Sequence, residues 1–394
     1  VEEDRRLSMK IGYSYWGFLG DMKFGDDGTL ASTPDGNAFY SWSIIHELQK
    51  RGHEVYQMMP DRDLNGSMIL GNDILFRSWA KVKRKSAYEE MVKMFGTKDI
   101  AKLDEFHVFM GWDEECCGGL DLVLHEWRME IQGRNTEDAR GTYGWQPDLF
   151  FQDCLIDYCI RRGIKTVIFD LDYKLSEEKV NELISRGLKL KVFELGTKWA
   201  GKDWAKKVYI PFDFKSIYEF KPESFVDDKL VYVGNRYERD WCIDKYIPTD
   251  MDGVAVYGNW DEGGRDSKER WPEIDFRHRL QTCEMRDVYS NSASTILLAK
   301  HDYCKYHFMT ARLIEAVFYC SVPLFIEEYG EETIEGFAGH HARWLTVHSA
   351  DDVVKKSEEL FTNYTMRVTI LNNIREHLRK FMDVKFFVDA LLSC

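Results

Sequence analysis

The sequence lacks most of the features that would assign it at a glance. Its 394 residues contain no CxxC pair and no HExxH, so the ligand spacings of common zinc sites are missing. Its nine cysteines are irregularly spaced, with Cys116 and Cys117 adjacent and Cys394 last. That is no disulfide framework for a chain of this length, and reduced thiols in a cytoplasm are the simpler account. No apolar run approaches the roughly 18 residues needed to cross a bilayer, and no signal-peptide pattern opens the chain. The loop after the first strand lacks G-x-G-x-x-G spacing, which disfavours a nicotinamide enzyme. Positive charge is also in deficit. The net charge of −14 argues against broad attraction to nucleic acid or an anionic membrane. The deficit is uneven: residues 9–212 hold 28 basic against 32 acidic side chains, residues 213–394 hold 23 against 32. A local basic face on the first half therefore stays open.

A hydrophobic fraction of 44% with 14% aromatics fits an ordered globular chain. Residues 1–8 (VEEDRRLS) are charged and read as a tag or extension outside the fold. From Met9 onward strand and helix patterns alternate. Strands are predicted at Lys10–Tyr15, His53–Met59, Leu120–Leu124, Lys165–Phe169 and Lys191–Leu195, with helices at Asn37–Arg51, Leu149–Arg162 and Glu177–Arg186. Residues 67–115 read as an insertion beside the sheet. The pattern lapses over Pro211–Asp228 and resumes with strands at Leu230–Val233, Val254–Tyr257, Thr295–Leu298 and Val322–Phe325. Helices follow at Thr310–Tyr319, Ala350–Asn363 and Met366–Phe381. The expectation is an α/β chain of two doubly wound Rossmann-like domains, 9–212 and 229–381, with a linker at 213–228. The tail, 382–394, is free to pack back on the first domain. Such sheets bind ligands at their carboxyl strand edges, here across a cleft.

Several motifs fall at those edges. Gly36 and Asn37 open the first helix, whose unpaired N–H groups suit an anion or a sugar hydroxyl; the plain alternative is a helix cap. Asp170 and Asp172 follow the strand Lys165–Phe169, and an extended backbone would aim both at one side. They are candidates to accept a proton from an acceptor, a D-x-D metal pair or simple turn acids. His125, Glu126 and Trp127 end another strand and could position a sugar or acceptor, or be a satisfied histidine with its neighbours. In the second half Gly234, Asn235, Arg236 and Arg239 suit a pyrophosphate, cradled by amides and gripped by guanidinium groups. The competing reading pairs the loop arginines with Glu238 or Asp240. Tyr257, Gly258 and Asn259 repeat the strand-then-Gly pattern and suit a nucleotide base. Thr310 and Arg312 open a helix, with Glu315 one turn on and placed for ribose hydroxyls; an i,i+3 ion pair on a solvated face is the alternative. A basic cluster, Arg77, Lys81, Lys83, Arg84 and Lys85 around Trp79, suits a nucleic-acid backbone and base or a solvated helix face.

Taken together, Gly52-His53-Glu54-Val55, Asp170-Leu171-Asp172, Tyr257-Gly258-Asn259 and the run from Thr310 through Glu315 to Pro323 resemble GT-B glycosyltransferases. Within them, they are similar to the T-even phage α-glucosyltransferases that modify hydroxymethylcytosine in DNA. Leu171 and Tyr173 replace family histidines, Cys320 stands where a glycine is usual, and Arg239 replaces a lysine. The resemblance implies a sugar-nucleotide donor, a UDP-sugar by preference, held by the second domain through Arg236, Arg239, Thr310, Arg312 and Glu315. It implies transfer near Asp172, with Asp170 and His125 beside it, onto a hydroxylated pyrimidine in DNA with retention of configuration. Trp79 and the loop Trp16–Thr33 are the candidate DNA contacts. No metal or other cofactor and no membrane partner is implied, the location is the cytoplasm of a phage-infected bacterium, and the oligomeric state stays open. A glycan, lipid-linked sugar or protein acceptor, or a non-catalytic sugar-nucleotide-binding module, are the rival readings.

Overall fold

The computed structural model describes residues 8–14, 38–57, 119–127, 147–214, 220–260, 266–280 and 282–394. Among them the strands are β1 (Lys10–Ser14), β2 (Glu54–Gln57), β3 (Leu122–Glu126), β4 (Lys165–Asp170), β5 (Lys189–Glu194), β6 (Ala205–Lys207), β7 (Asp228–Val233), β8 (Val254–Tyr257), β9 (Phe276–Arg277), β10 (Ser292–Leu297), β11 (Val322–Ile326) and β12 (Thr346–Val347). The principal helices are α1 (Ala38–Lys50), α2 (Pro147–Arg162), α3 (Glu177–Ser185), α4 (Asp240–Tyr246), α5 (Thr282–Ser290), α6 (His301–Lys305), α7 (Arg312–Phe318), α8 (Glu331–Ala338), α9 (Ala350–Thr362), α10 (Tyr364–Met382) and α11 (Val384–Leu392).

The described residues divide into two compact units, one running to Pro211 and taking in Val384–Cys394, the other spanning Phe212–Asp383. The first holds a six-stranded sheet in the order β2-β1-β3-β4-β5-β6, parallel at every pairing. All five residues of β3 and the last five of β4 are buried, as strands covered on both faces require. The strand order reverses beside β1, so the chain leaves β1 and β3 in opposite directions and opens a crevice at their carboxyl ends. Local chemistry sets the helix ends. Ser176 caps α3 by accepting from Lys179 N, with Glu177 and Glu178 in the first turn. The last helix, α11, belongs to this unit: Phe387 packs on Phe169 and Phe193 at centroid distances of 5.2 and 5.4 Å, and Arg51 pairs with Asp389.

The second unit repeats the plan with the order β12-β11-β10-β7-β8-β9, again parallel. Its reversal lies between β7 and β10. Strand β10 begins at Ser292, three residues before the predicted start, because Ser294 and Thr295 satisfy their buried hydroxyls on Lys229 O and Val231 O at 2.7 and 2.9 Å. Helix α10 carries two buried arginines whose guanidinium groups serve backbone carbonyls. Arg367 takes Leu360 O and Glu223 O (3.0 and 2.8 Å), while Arg375 takes Val317 O and Phe220 O (2.9 and 3.1 Å). Arg375 thereby satisfies the orphan carbonyl end of α7, and it also donates to Cys320 Sγ. Cys320 itself has φ +72, the left-handed geometry that a glycine adopts without strain.

Candidate functional site

The crevice between β7 and β10 is shaped by two glycines. A Cβ on Gly234 would lie 2.3 Å from Tyr232 Oη, and one on Gly258, at φ +146, would lie 2.1 Å from Gly234 O. The two turns are pinned together by Trp260 Nε1 to Gly234 O (2.9 Å) and Asn259 N to Asn235 Oδ1 (3.0 Å). Asn235, Asn259 and Trp260 thus build the cradle wall. The two arginines of this loop do different things. Arg236 is spent: Nε and Nη2 hold Asp240 at 2.8 and 2.7 Å, and Nη1 reaches Asp266 at 2.8 Å. Arg239 places Nη1 on Asn235 O and Tyr237 O, both at 3.1 Å. Its buried Nε has no hydrogen-bond partner among the described residues.

Across the crevice, Arg312 Nη1 pairs with Glu315 Oε2 at 2.5 Å. The ion pair foreseen at i,i+3 forms, yet not on a solvated face: the Glu315 side chain is 1% exposed and that of Arg312 29%. Helix α7 is only seven residues long, so its side chains rather than its terminus define the site. Glu315 Oε1 and Thr310 Oγ1 are buried without partners among the described residues. Burial raises the Tyr232 phenol while Arg239 and Arg312 both pull it down, so both cations lie near it. Burial and then the Glu315 carboxylate raise the Tyr289 phenol. Burial would lower the Arg312 guanidinium, but Glu315 outweighs it and holds the proton on. Tyr257, the strand-end aromatic, accepts from Arg277 Nη1 at 2.5 Å.

In the first unit the β1–β3 crevice has a buried polar floor. Glu126 is fully buried and accepts from Tyr13 Oη at 2.7 Å and Ser41 Oγ at 3.4 Å. His125 Nε2 lies 2.7 Å from Gln152 Oε1 on the other face. Ser14 Oγ, beside His125 in register, is buried without a partner among the described residues. The two aspartates at the end of β4 do not share one side. The chain turns at Leu171 and Tyr173 takes φ +55, so Asp170 is buried while Asp172 is exposed. Asp170 accepts from Lys174 N at 2.9 Å and Leu175 N at 3.1 Å, which fixes the turn that presents Asp172. Among the described residues no group of three or more His, Cys, Asp or Glu side chains is placed to hold a metal. Gly36, Asn37, Trp79, Lys83 and Arg84 lie outside the described residues, as do the Trp16–Thr33 loop, Arg77, Lys81 and Lys85.

Burial pushes the Asp170 carboxyl up from 3.8 to about 6, against the two backbone N–H groups and Lys198. A folded-state value above the unfolded one means the native state holds the proton more tightly, so this group's contribution to stability falls as pH rises through that window. Unfolding free energy is expected to drop by about 2 kcal/mol between pH ~4.5 and ~7.5 on this account. Denaturant titrations of Asp170→Asn should show that component removed; an unchanged pH slope would contradict it.

Sequence reasoning missed Tyr13, Ser41, Tyr232 and Tyr289. The first three sit in strand or helix positions indistinguishable from core, and Tyr289 lies on α5, which the alternation did not predict.

No family model matches the sequence, and no similar sequence is found among curated proteins. Solved structures do resemble it. T4 phage BGT in complex with UDP and Mn2+ aligns over 98% of this chain and 99% of its own, at 15% identity and a TM-score of 0.59. The chain has the GT-B fold. A second GT-B structure, the DNA-modifying enzyme β-glucosyltransferase studied with and without uridine diphosphoglucose, gives 15% identity and a TM-score of 0.56 over 98% and 99% of the two chains. T4 phage BGT with its UDP-glucose substrate gives 13% identity and 0.53 over the same shares. These GT-B neighbours are β-glucosyltransferases, whereas the motifs resemble the α-enzymes.

Proposed function

We propose that this protein transfers a sugar from a nucleoside-diphosphate donor, a UDP-sugar, to a hydroxylated pyrimidine base in DNA. The observation that carries the donor half is the set of buried polar atoms without partners among the described residues at one crevice: Arg239 Nε, Thr310 Oγ1 and Glu315 Oε1. Left unmet, each costs about 1–3 kcal/mol; a ligand bearing both hydroxyls and phosphate oxygens meets all three. Glu315 Oε1 accepts from ribose, while Arg312 and Arg239 donate to the diphosphate and stabilise the charge it gains on leaving. Arg236, held by Asp240 and Asp266, keeps the loop in place rather than binding phosphate.

On the acceptor side Asp172 takes the proton of the acceptor hydroxyl as its oxygen bonds to C1 of the sugar, and the C1–O bond to the diphosphate breaks with UDP carrying the electron pair. The likeness to β-enzymes favours inversion in this single displacement, in place of the retention implied by the sequence resemblance. The choice of DNA rests on the phage resemblance and on the neighbours' DNA-modifying activity; the target base must leave the stack to be reached. The net charge of −14 favours a second reading, a glycan acceptor.

The deciding experiment offers a panel of nucleotide sugars with hydroxymethylated DNA, unmodified DNA and glycans, followed by mass spectrometry of nucleosides and glycans. A hexose mass on the hydroxymethylated nucleoside is expected, with Asp172→Ala slower by roughly 10²–10⁴-fold. Transfer to glycans alone sinks the DNA reading. Donor binding without any turnover marks a non-catalytic module.

A further inference from the structure

One face of the first sheet gathers four lysines. Lys165 opposes Lys189 directly in the β4–β5 register, Lys191 lies two residues on, and Lys206 of β6 opposes Phe193. Alternation along each strand therefore puts all four on the same face, and all four are exposed. Other cations on this unit do pair with acids: Lys179 with Glu182, Arg186 with Asp157, Lys202 with Glu177. Among the described residues no Asp or Glu side chain forms an ion pair with the four lysines, and three of them donate hydrogen bonds elsewhere: Lys165 Nζ to Cys394 O (3.0 Å), Lys191 Nζ to Asp203 O (2.6 Å) and Lys206 Nζ to Ser393 Oγ (3.1 Å). Their convergence has a second mark. Lys206, Lys191 and Lys165 together pull down the Cys394 thiol, which burial raises.

Like charges set directly across a strand pair are destabilising, so a chain with net charge −14 is holding like charges together at one place. We propose that this lysine face binds the phosphate backbone of duplex DNA flanking the modified base, a partner contact that rests on the DNA reading of the acceptor. Lys165 and Lys189 open their strands, so the face lies near the amino ends of β4 and β5, roughly 20 Å of strand from the carboxyl edge that carries Asp172. It contacts DNA several base pairs from the target and contributes affinity and orientation without reading sequence.

The test is the quadruple variant Lys165→Gln/Lys189→Gln/Lys191→Gln/Lys206→Gln, compared with the parent for duplex DNA affinity across a salt series. The variant should bind on the order of a hundredfold more weakly at ~100 mM salt, with a log K against log salt slope shallower by roughly 3 to 4. UDP binding should not change. DNA binding by the parent with no loss in the variant overturns the lysine face and leaves the acceptor reading standing. A parent that binds no DNA overturns both. Loss of binding to anionic lipid vesicles with DNA affinity retained assigns the face to a membrane and likewise overturns the proposal.

Discussion

Replacing Glu315 with glutamine is expected to raise the KM for the sugar nucleotide roughly 10- to 100-fold, the worth of one hydrogen bond to a charged group. Its Oε1 is buried and unpartnered among the described residues, whereas its Oε2 is held by Arg312. The partner is more sensitive. Arg312→Met leaves the carboxylate of a 1% exposed side chain without its counter-charge, which costs about 3–5 kcal/mol. The double variant Arg312→Met/Glu315→Met removes both charges and should recover much of that stability while recovering none of the UDP binding. Chemical denaturation and calorimetric titration with UDP, run on the three variants, separate the two roles. If the double variant bound UDP like the parent, the donor site would lie elsewhere.

The second large effect is expected at Gly258. A Cβ there would sit 2.1 Å from Gly234 O and 2.7 Å from Gly234 C at φ +146, so backbone rather than a flexible side chain must move. Gly258→Ala should cost about 3 kcal/mol or more. It should also abolish UDP binding, because the displaced residue starts the loop that carries Arg239. Gly187→Ala is the control: it shares a positive φ, +96, but has nothing within 4 Å of the added carbon. It should cost only the left-handed strain of about 1–2 kcal/mol and leave UDP binding intact. Equal losses at the two glycines would show that conformation, not close approach, governs Gly258.

The strands that make both sheets were legible because a parallel strand buried on two faces must be nearly all apolar, and LVLHE, KTVIFD and VPLFI stand out against charged helices. Short elements were not: β6, β9 and β12 have two or three residues each, too few for any period. The glycine turn after β7 was legible as a candidate phosphate-binding place, since backbone N–H groups and arginines gather there. Which arginine was available was not legible. Arg236 and Arg239 look alike in sequence, and the difference lies in Asp266, 30 residues away from Arg236, which claims the first guanidinium. The same holds for the aspartates. Asp170 and Asp172 read as an equivalent pair until the turn at Leu171 buries one and exposes the other.

By itself, then, the sequence determined the two α/β halves and the strand ends at which polar residues gather, because periodicity and glycine placement are local properties. Only the tertiary structure decided which of those polar groups are satisfied by the protein and which stand without a partner among the described residues. Hydrogen-bond partners come from distant segments, and a charge is available only if nothing across the fold has neutralised it. The one feature that both levels touch is charge. The composition marked the protein as acidic and left a basic face open, and the register of β4, β5 and β6 gathered four exposed lysines onto a single face.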